Sequence, residues 1–151
     1  MDLSHQEKSI LGSLIVTLLV FFYYCSRVVG FATGAQELTI EALWPLVLSI
    51  VVIVIIVEIV AHIIIAALAG PAERDERDRL IDAMASRIAY LVLGVGAFIA
   101  VFHLVLTTML GLVFAKPLLR DFWIVNILIF SITLAEVTKF LLQLFYYRRG
   151  V

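Results

Sequence analysis

The stretch LWPLVLSIVVIVIIVEIVAHIIIAALAG, residues 43–70, decides the fold class. It is almost entirely Val, Ile, Leu and Ala, and it exceeds the roughly 20 residues that a helix needs to cross a bilayer. Three further apolar runs give four predicted spans, about residues 9–30, 43–69, 87–114 and 121–147. The chain of 151 residues is 64% hydrophobic, and its mean hydropathy of +1.13 is far from that of soluble domains. The sequence therefore predicts an all-α integral membrane protein, residues 1–151, with four transmembrane helices in one domain.

Charge distribution predicts how these spans are oriented. A net charge of -1 gives no general attraction to nucleic acid, and a single cysteine, Cys25, excludes an internal disulfide. Most Lys and Arg residues lie before the first span, between the second and third spans, and after the fourth. Because cytoplasmic loops are enriched in these residues, both termini are predicted to be cytoplasmic, in the cell inner membrane.

The two halves of the chain share a spacing that indicates a duplication. Lys8 and Trp44 are separated by the same number of residues as Arg87 and Trp123. When the two halves are aligned, with a shift of one residue, Glu58 corresponds to Glu136. Each half then forms a helical hairpin, so the sequence predicts two tandem hairpins, a 2+2 parallel repeat with its pseudo-twofold axis along the membrane normal.

Polar residues interrupt the second and fourth spans. Glu58 and His62 are one helical turn apart in the second span, and Glu136 and Lys139 are similarly close in the fourth. If these two helices face each other, Glu58 can pair with Lys139 and Glu136 with His62, which neutralises charges that are expensive in lipid. The four residues are thus predicted to form a buried polar layer, an ion-pair lock between the hairpins.

Two other interpretations of this layer stay open. Carboxylates inside a membrane are typical proton carriers, so Glu58 and Glu136 also suit a small proton-coupled transporter or channel. No Pro or Gly breaks the middle of either span where a substrate site would open. A metal site is disfavoured because the Glu-x-x-x-His spacing differs from the Glu-x-x-His spacing of four-helix carboxylate proteins. No metal, other cofactor or catalytic residue set is expected.

Polar side chains also collect in the outer half of the predicted bundle. They could line a pocket for a small amphipathic molecule or a lipid, or they could satisfy one another by interhelical hydrogen bonds. These residues are Tyr23, Tyr24, His103, Thr107 and Asn126.

A charged connector, about residues 71–86, joins the hairpins. Acidic residues near its start and Glu or Asp placed four residues before Arg favour a helix that runs into the third span. We interpret it either as a solvated connector that sets topology or as a docking helix for a cytosolic partner or a second copy of the chain. Its candidate docking residues are Arg74, Asp75, Glu76, Arg77, Asp78 and Arg79.

Two of these segments carry a resemblance. The Asp-Glu-Arg-Asp segment at residues 75–78 and the Tyr-Tyr-Arg-Arg-Gly ending at residues 146–150 resemble those of an uncharacterised bacterial and archaeal family of small four-span membrane proteins. The resemblance covers mainly residues 73–151. Members are often encoded beside small helix-turn-helix regulators, which implies a regulatory or sensory pairing. The family supplies no catalytic residues.

The sequence thus favours a non-enzymatic membrane protein with a regulatory, sensory or protein-interaction role. Its expected partners are the lipid bilayer, a second copy in a homodimer and a cytosolic helix-turn-helix regulator, with no direct contact to nucleic acid. The alternative is the proton-coupled transporter or channel that uses Glu58 and Glu136.

Overall fold

The described part of the computed structural model forms four α-helices: α1 (His5–Ala32), α2 (Ile40–Ala69), α3 (Glu76–Met109) and α4 (Pro117–Arg149). The structure describes residues 5–69, 75–109 and 117–149, and for several residues in the second half of α2, among them Glu58 and His62, only the backbone. Those ranges contain no strand, and each helix includes a stretch long and apolar enough to cross a bilayer. The predicted all-α, multi-pass membrane fold is confirmed. The tandem repeat and the orientation of the termini stay predictions.

Local sequence accounts for where the helices begin and end. The hydroxyl of Thr39 accepts a hydrogen bond from the backbone N–H of Ala42 at 3.2 Å, and the carboxylate of Asp75 accepts one from the N–H of Asp78 at 2.7 Å. Both are N-caps that satisfy amide groups which a first helical turn leaves without partners. After α1, Gly34 has a φ of +75°, a left-handed conformation that glycine adopts without strain.

Neighbouring helices in the bundle follow the order α2, α1, α4, α3. The α3–α4 contact is the most extensive, α1–α4 follows, and α2 makes its main contact with α1. Helix α4 therefore lies between α1 and α3. The second hairpin is packed along much of its length, whereas α2 adds to the outside of α1 and leaves most of its described apolar side chains exposed.

One close approach fixes the α3–α4 contact. Gly96 is buried, and a Cβ atom added to it would overlap the Oγ and Cβ atoms of Ser131, which is itself 6% exposed. Ser131 directs its hydroxyl back along α4 and donates to the carbonyl of Ile127 at 2.6 Å. Small residues at such points let helix backbones approach closely in membranes. Gly94, two residues earlier, has no atom within 4 Å of its added Cβ.

Helix α3 is longer than a membrane span. Its 34 residues rise roughly 51 Å, compared with about 30 Å for the hydrocarbon core. The first twelve residues carry its charged side chains, yet Ile81 and Ala85 among them are fully buried. The charged part of α3 is therefore packed into the bundle on one face rather than extending free of it.

Candidate functional site: a polar cluster and an apolar groove

Polar side chains from three helices meet at the end of the bundle where α1 and α3 begin and α4 ends. We call this the polar end. The side chains that interact there, the polar cluster, come from α1, α3 and α4 and are Gln6, Glu7, Arg77, Asp78, Asp82, Lys139, Gln143, Tyr147 and Arg148. The cluster links the first, third and fourth helices where apolar packing is interrupted by charge.

Asp78 organises the outer part of the cluster. Its carboxylate accepts a short hydrogen bond from the Tyr147 hydroxyl and a longer one, at 3.5 Å, from the side-chain amide of Gln6. The Arg77 guanidinium donates to the Tyr147 carbonyl at 3.3 Å and lies 5.9 Å from the ring centroid. Glu7 and Arg148 approach to 4.0 Å beside these contacts. Residues 77–78 and 147–148 therefore lie together at this end of the bundle.

Asp82 organises the inner part of the cluster. It accepts a hydrogen bond from the Gln143 amide at 2.8 Å and forms a salt bridge with Lys139 at 3.0 Å. Asp82 precedes Arg87 by five residues, or roughly 8 Å of helix. Because Arg87 is an exposed cation at the start of the apolar part of α3, this pairing places Lys139 close to the membrane boundary.

Neutralising Asp82 and Lys139, singly and together, tests whether their salt bridge stabilises the fold. We expect Asp82→Asn or Lys139→Met alone to lower the unfolding free energy by about 1 kcal/mol, because each leaves one partly buried charge without its counterion. The double variant should recover most of the loss. Unfolding of the four proteins in mild detergent measures the coupling. Strictly additive losses would contradict a direct interaction between these two residues.

The predicted buried polar layer is described only in part. The side chains of Glu58 and His62 lie outside the described residues, so the pairs Glu58–Lys139 and Glu136–His62 stay predictions. The Glu136 side chain is exposed, and Lys139 is half-buried with Asp82 as its ion-pair partner. Sequence reasoning did not include Asp82 among the partners because it assigned residues 71–86 to a connector separate from the bundle.

The predicted docking helix divides into two faces. Arg74 lies outside the described residues, and Asp75 caps α3. Arg77 and Asp78 contact α4 and α1, as described above. Glu76 and Arg79 are exposed and make up the outer face together with the next exposed residues along α3, Leu80, Ala83 and Arg87. We call these five residues the docking stripe.

An apolar groove opens between α1 and α3, with α4 as its floor. Its volume is about 750 Å³. Phe21 and Val28 line it from α1, and Leu91 and Val95 line it from α3, while Phe130 belongs to the floor. Such a surface suits an apolar occupant rather than an ion or a polar substrate.

The predicted outer-half pocket overlaps this groove at two residues. The Tyr24 hydroxyl donates to the Asn126 side-chain oxygen at 2.6 Å, and both residues line the groove. Tyr23 is exposed and lines neither described cavity. His103 and Thr107 also lie away from the groove, and the Thr107 hydroxyl donates to the His103 carbonyl at 2.8 Å. The structure thus joins Tyr24 to Asn126 and separates them from the other three.

The described part of the chain contains no candidate metal site. Among those residues there is no group of three or more His, Cys, Asp or Glu side chains that could hold a metal ion. The carboxylates of the polar cluster are instead occupied by Lys, Gln and Tyr donors.

Comparisons with known proteins return nothing: no family model matches the chain, and neither the curated proteins nor the solved structures include a match. The polar cluster, the docking stripe and the groove are therefore the features of the molecule that bear on function.

Proposed function

We propose that the chain is a non-enzymatic protein of the inner membrane, with both termini cytoplasmic, that regulates or senses by binding a cytosolic protein at its polar end. One observation carries the proposal. The first turns of α3 are held to α4 and α1 through Arg77, Asp78 and Asp82, while the docking stripe on the opposite face of the same turns is exposed.

Fixed presentation is what makes the docking stripe suitable for recognition. A helix whose inner face is tied down by hydrogen bonds loses less conformational freedom when a partner binds, so more of the interaction energy appears as affinity. The stripe places Leu80, 53% exposed, between Glu76 and Arg87. An apolar anchor flanked by charges of both signs matches the contact that amphipathic helices make with a partner groove.

Orientation supports a cytosolic partner. The polar end carries Arg77, Arg79, Arg87, Arg148 and Arg149, whereas the described part of the opposite end carries Arg27 and Arg120. This imbalance favours a cytoplasmic polar end under the positive-inside tendency. The resemblance suggests the kind of partner, a helix-turn-helix regulator, because members of the resembled family are often encoded beside one.

Charge reversal on the stripe tests the proposal. We expect Glu76→Arg/Arg79→Glu to reduce co-purification of a helix-turn-helix regulator that the native chain captures at least about tenfold, because like charges then oppose each other across the contact. Both residues are exposed, so the melting temperature in detergent should not change. The matched control is Arg120→Glu/Asp121→Arg, which reverses an exposed 2.9 Å salt bridge at the other end of the bundle.

Two outcomes would overturn this function. Capture of the regulator that survives the stripe reversal would remove the docking role. Proton flux in liposomes that disappears in Glu136→Gln would instead establish the alternative, a transporter or channel that uses Glu58 and Glu136.

A further inference from the structure

Two apolar features lie side by side on α1. The groove is on one side, and a shallower hollow of about 460 Å³ is on the other, along the outward face that carries Ile15, Leu18 and Leu19. We call the latter the α1 face. Phe22 projects from it with 75% of its surface exposed. Phe21 and Cys25 line both the groove and the hollow, so they mark the border between them.

The single chain leaves far more surface uncovered than its mass requires. It exposes 10479 Å², whereas a compact monomer of 16.9 kDa exposes roughly 7700 Å². The difference, about 2800 Å² by the same scaling, exceeds the roughly 800 Å² that each partner buries in a standard interface. The chain therefore leaves more surface for lipid or another protein to cover than a water-soluble monomer of its mass does.

We infer that the groove and the α1 face together form the interface of a parallel homodimer. A twofold rotation about an axis along the membrane normal, passing beside Cys25, exchanges the two sides of that border. The α1 face of each copy then meets the groove of the other, with Phe22 as the inserted side chain. A ridge beside a groove is complementary to itself under this rotation, as an isologous interface requires.

Depth in the membrane agrees with this pairing. A rotation about the membrane normal keeps every residue at its own height, so Phe22 must be level with the groove that receives it. Tyr24, two residues from Phe22, donates a hydrogen bond to Asn126 in the groove floor, and the ring centroids of Phe21 and of Phe130 in the same floor are 5.7 Å apart. Phe22 is thus at the height of the groove. A lipid chain would need no such match between a projecting ring and a hollow.

The native cysteine reports the twofold axis directly. A residue beside the twofold axis lies next to the same residue of the other protomer. Oxidation with copper phenanthroline in native membranes should therefore convert most of the protein to a Cys25–Cys25 disulfide dimer, with twice the mass of 16.9 kDa. The matched control is Val101→Cys in a Cys25→Ser background. Val101 is 59% exposed and lies on α3 away from the groove, so it should stay monomeric. Equal cross-linking of both cysteines, or none at Cys25, would overturn the proposal.

The affinity of dimerisation, measured in a bilayer, shows whether a second copy of the chain or a lipid occupies the groove. Phe22→Ala should weaken dimerisation at least about tenfold, as expected for an inserted aromatic anchor. Tyr90→Ala, which removes an equally exposed ring (74%) from α3 outside the groove, should leave it unchanged. Val95→Trp should also give monomers, because it fills the groove from an exposed position. Single-step photobleaching of the labelled protein in vesicles counts the copies. A monomeric native protein, or a retained phospholipid that Val95→Trp expels, would overturn the dimer.

Discussion

Gly96→Ala should lower the unfolding free energy by about 1–3 kcal/mol, because its methyl group enters space already filled by Ser131. Separation of α3 from α4 is the only simple relief, since the added carbon meets Oγ and Cβ atoms that sit next to the α4 backbone. The α3–α4 contact is the most extensive in the described part of the bundle. Thermal unfolding in a fixed detergent, followed by circular dichroism, measures the loss.

Gly94→Ala is the matched control for this prediction. The substitution, the helix and the side-chain volume are the same, but the added carbon has no neighbour within 4 Å. Because alanine favours a helix over glycine by roughly 1 kcal/mol, this variant should be as stable as the native protein or more stable.

A second-site change makes the Gly96 result specific. Ser131→Gly removes both atoms that the new methyl group meets, so Gly96→Ala/Ser131→Gly should recover part of the stability lost by Gly96→Ala. Failure of this rescue, or an equal loss in Gly94→Ala, would refute the close approach as the cause.

Tyr24→Phe and Asn126→Leu should each destabilise the α1–α4 contact by about 1–2 kcal/mol. Tyr24 is only 6% exposed, and its hydroxyl donates to Asn126 between two apolar helices. Either change leaves a polar atom without that partner in surroundings that offer little water. Asn126 also donates to the Phe122 carbonyl at 2.7 Å, so its loss should have the larger effect.

Coupling between these two residues distinguishes a hydrogen bond from packing alone. The double variant Tyr24→Phe/Asn126→Leu should be more stable than the sum of the single losses predicts, because it removes donor and acceptor together. Tyr23→Phe is the control, since Tyr23 is exposed and lines neither described cavity, and it should not alter unfolding. Additive losses would mean that the bond contributes little.

The positions of the four helices followed from sequence because length and hydropathy determine what crosses a bilayer. The partners of the polar side chains did not all follow. Apolar residues surround α2 on all sides, so no stripe indicates which helix it faces. Asp82, which pairs with Lys139, was not among the predicted partners because residues 71–86 were interpreted as a connector. Tyr24 and Asn126 were predicted to share a pocket with Tyr23, His103 and Thr107, and the structure joins Tyr24 to Asn126 by a hydrogen bond. His103 and Thr107 were grouped with them by approximate height alone, and height does not determine the direction of a side chain.

Helix α3 has a mechanical consequence, since one unbroken helix carries both a groove wall and the docking stripe. No proline interrupts α3, so a tilt at one point along the helix also displaces residues far from that point. A tilt of about 10° around the Gly96 contact moves Leu80, which is 16 residues or roughly 24 Å away, sideways by roughly 4 Å. A displacement of about 4 Å equals the separation of contacting side chains, so it moves Leu80 out of contact with a bound protein. An occupant of the groove that tilted α3 would therefore displace the docking stripe at the polar end.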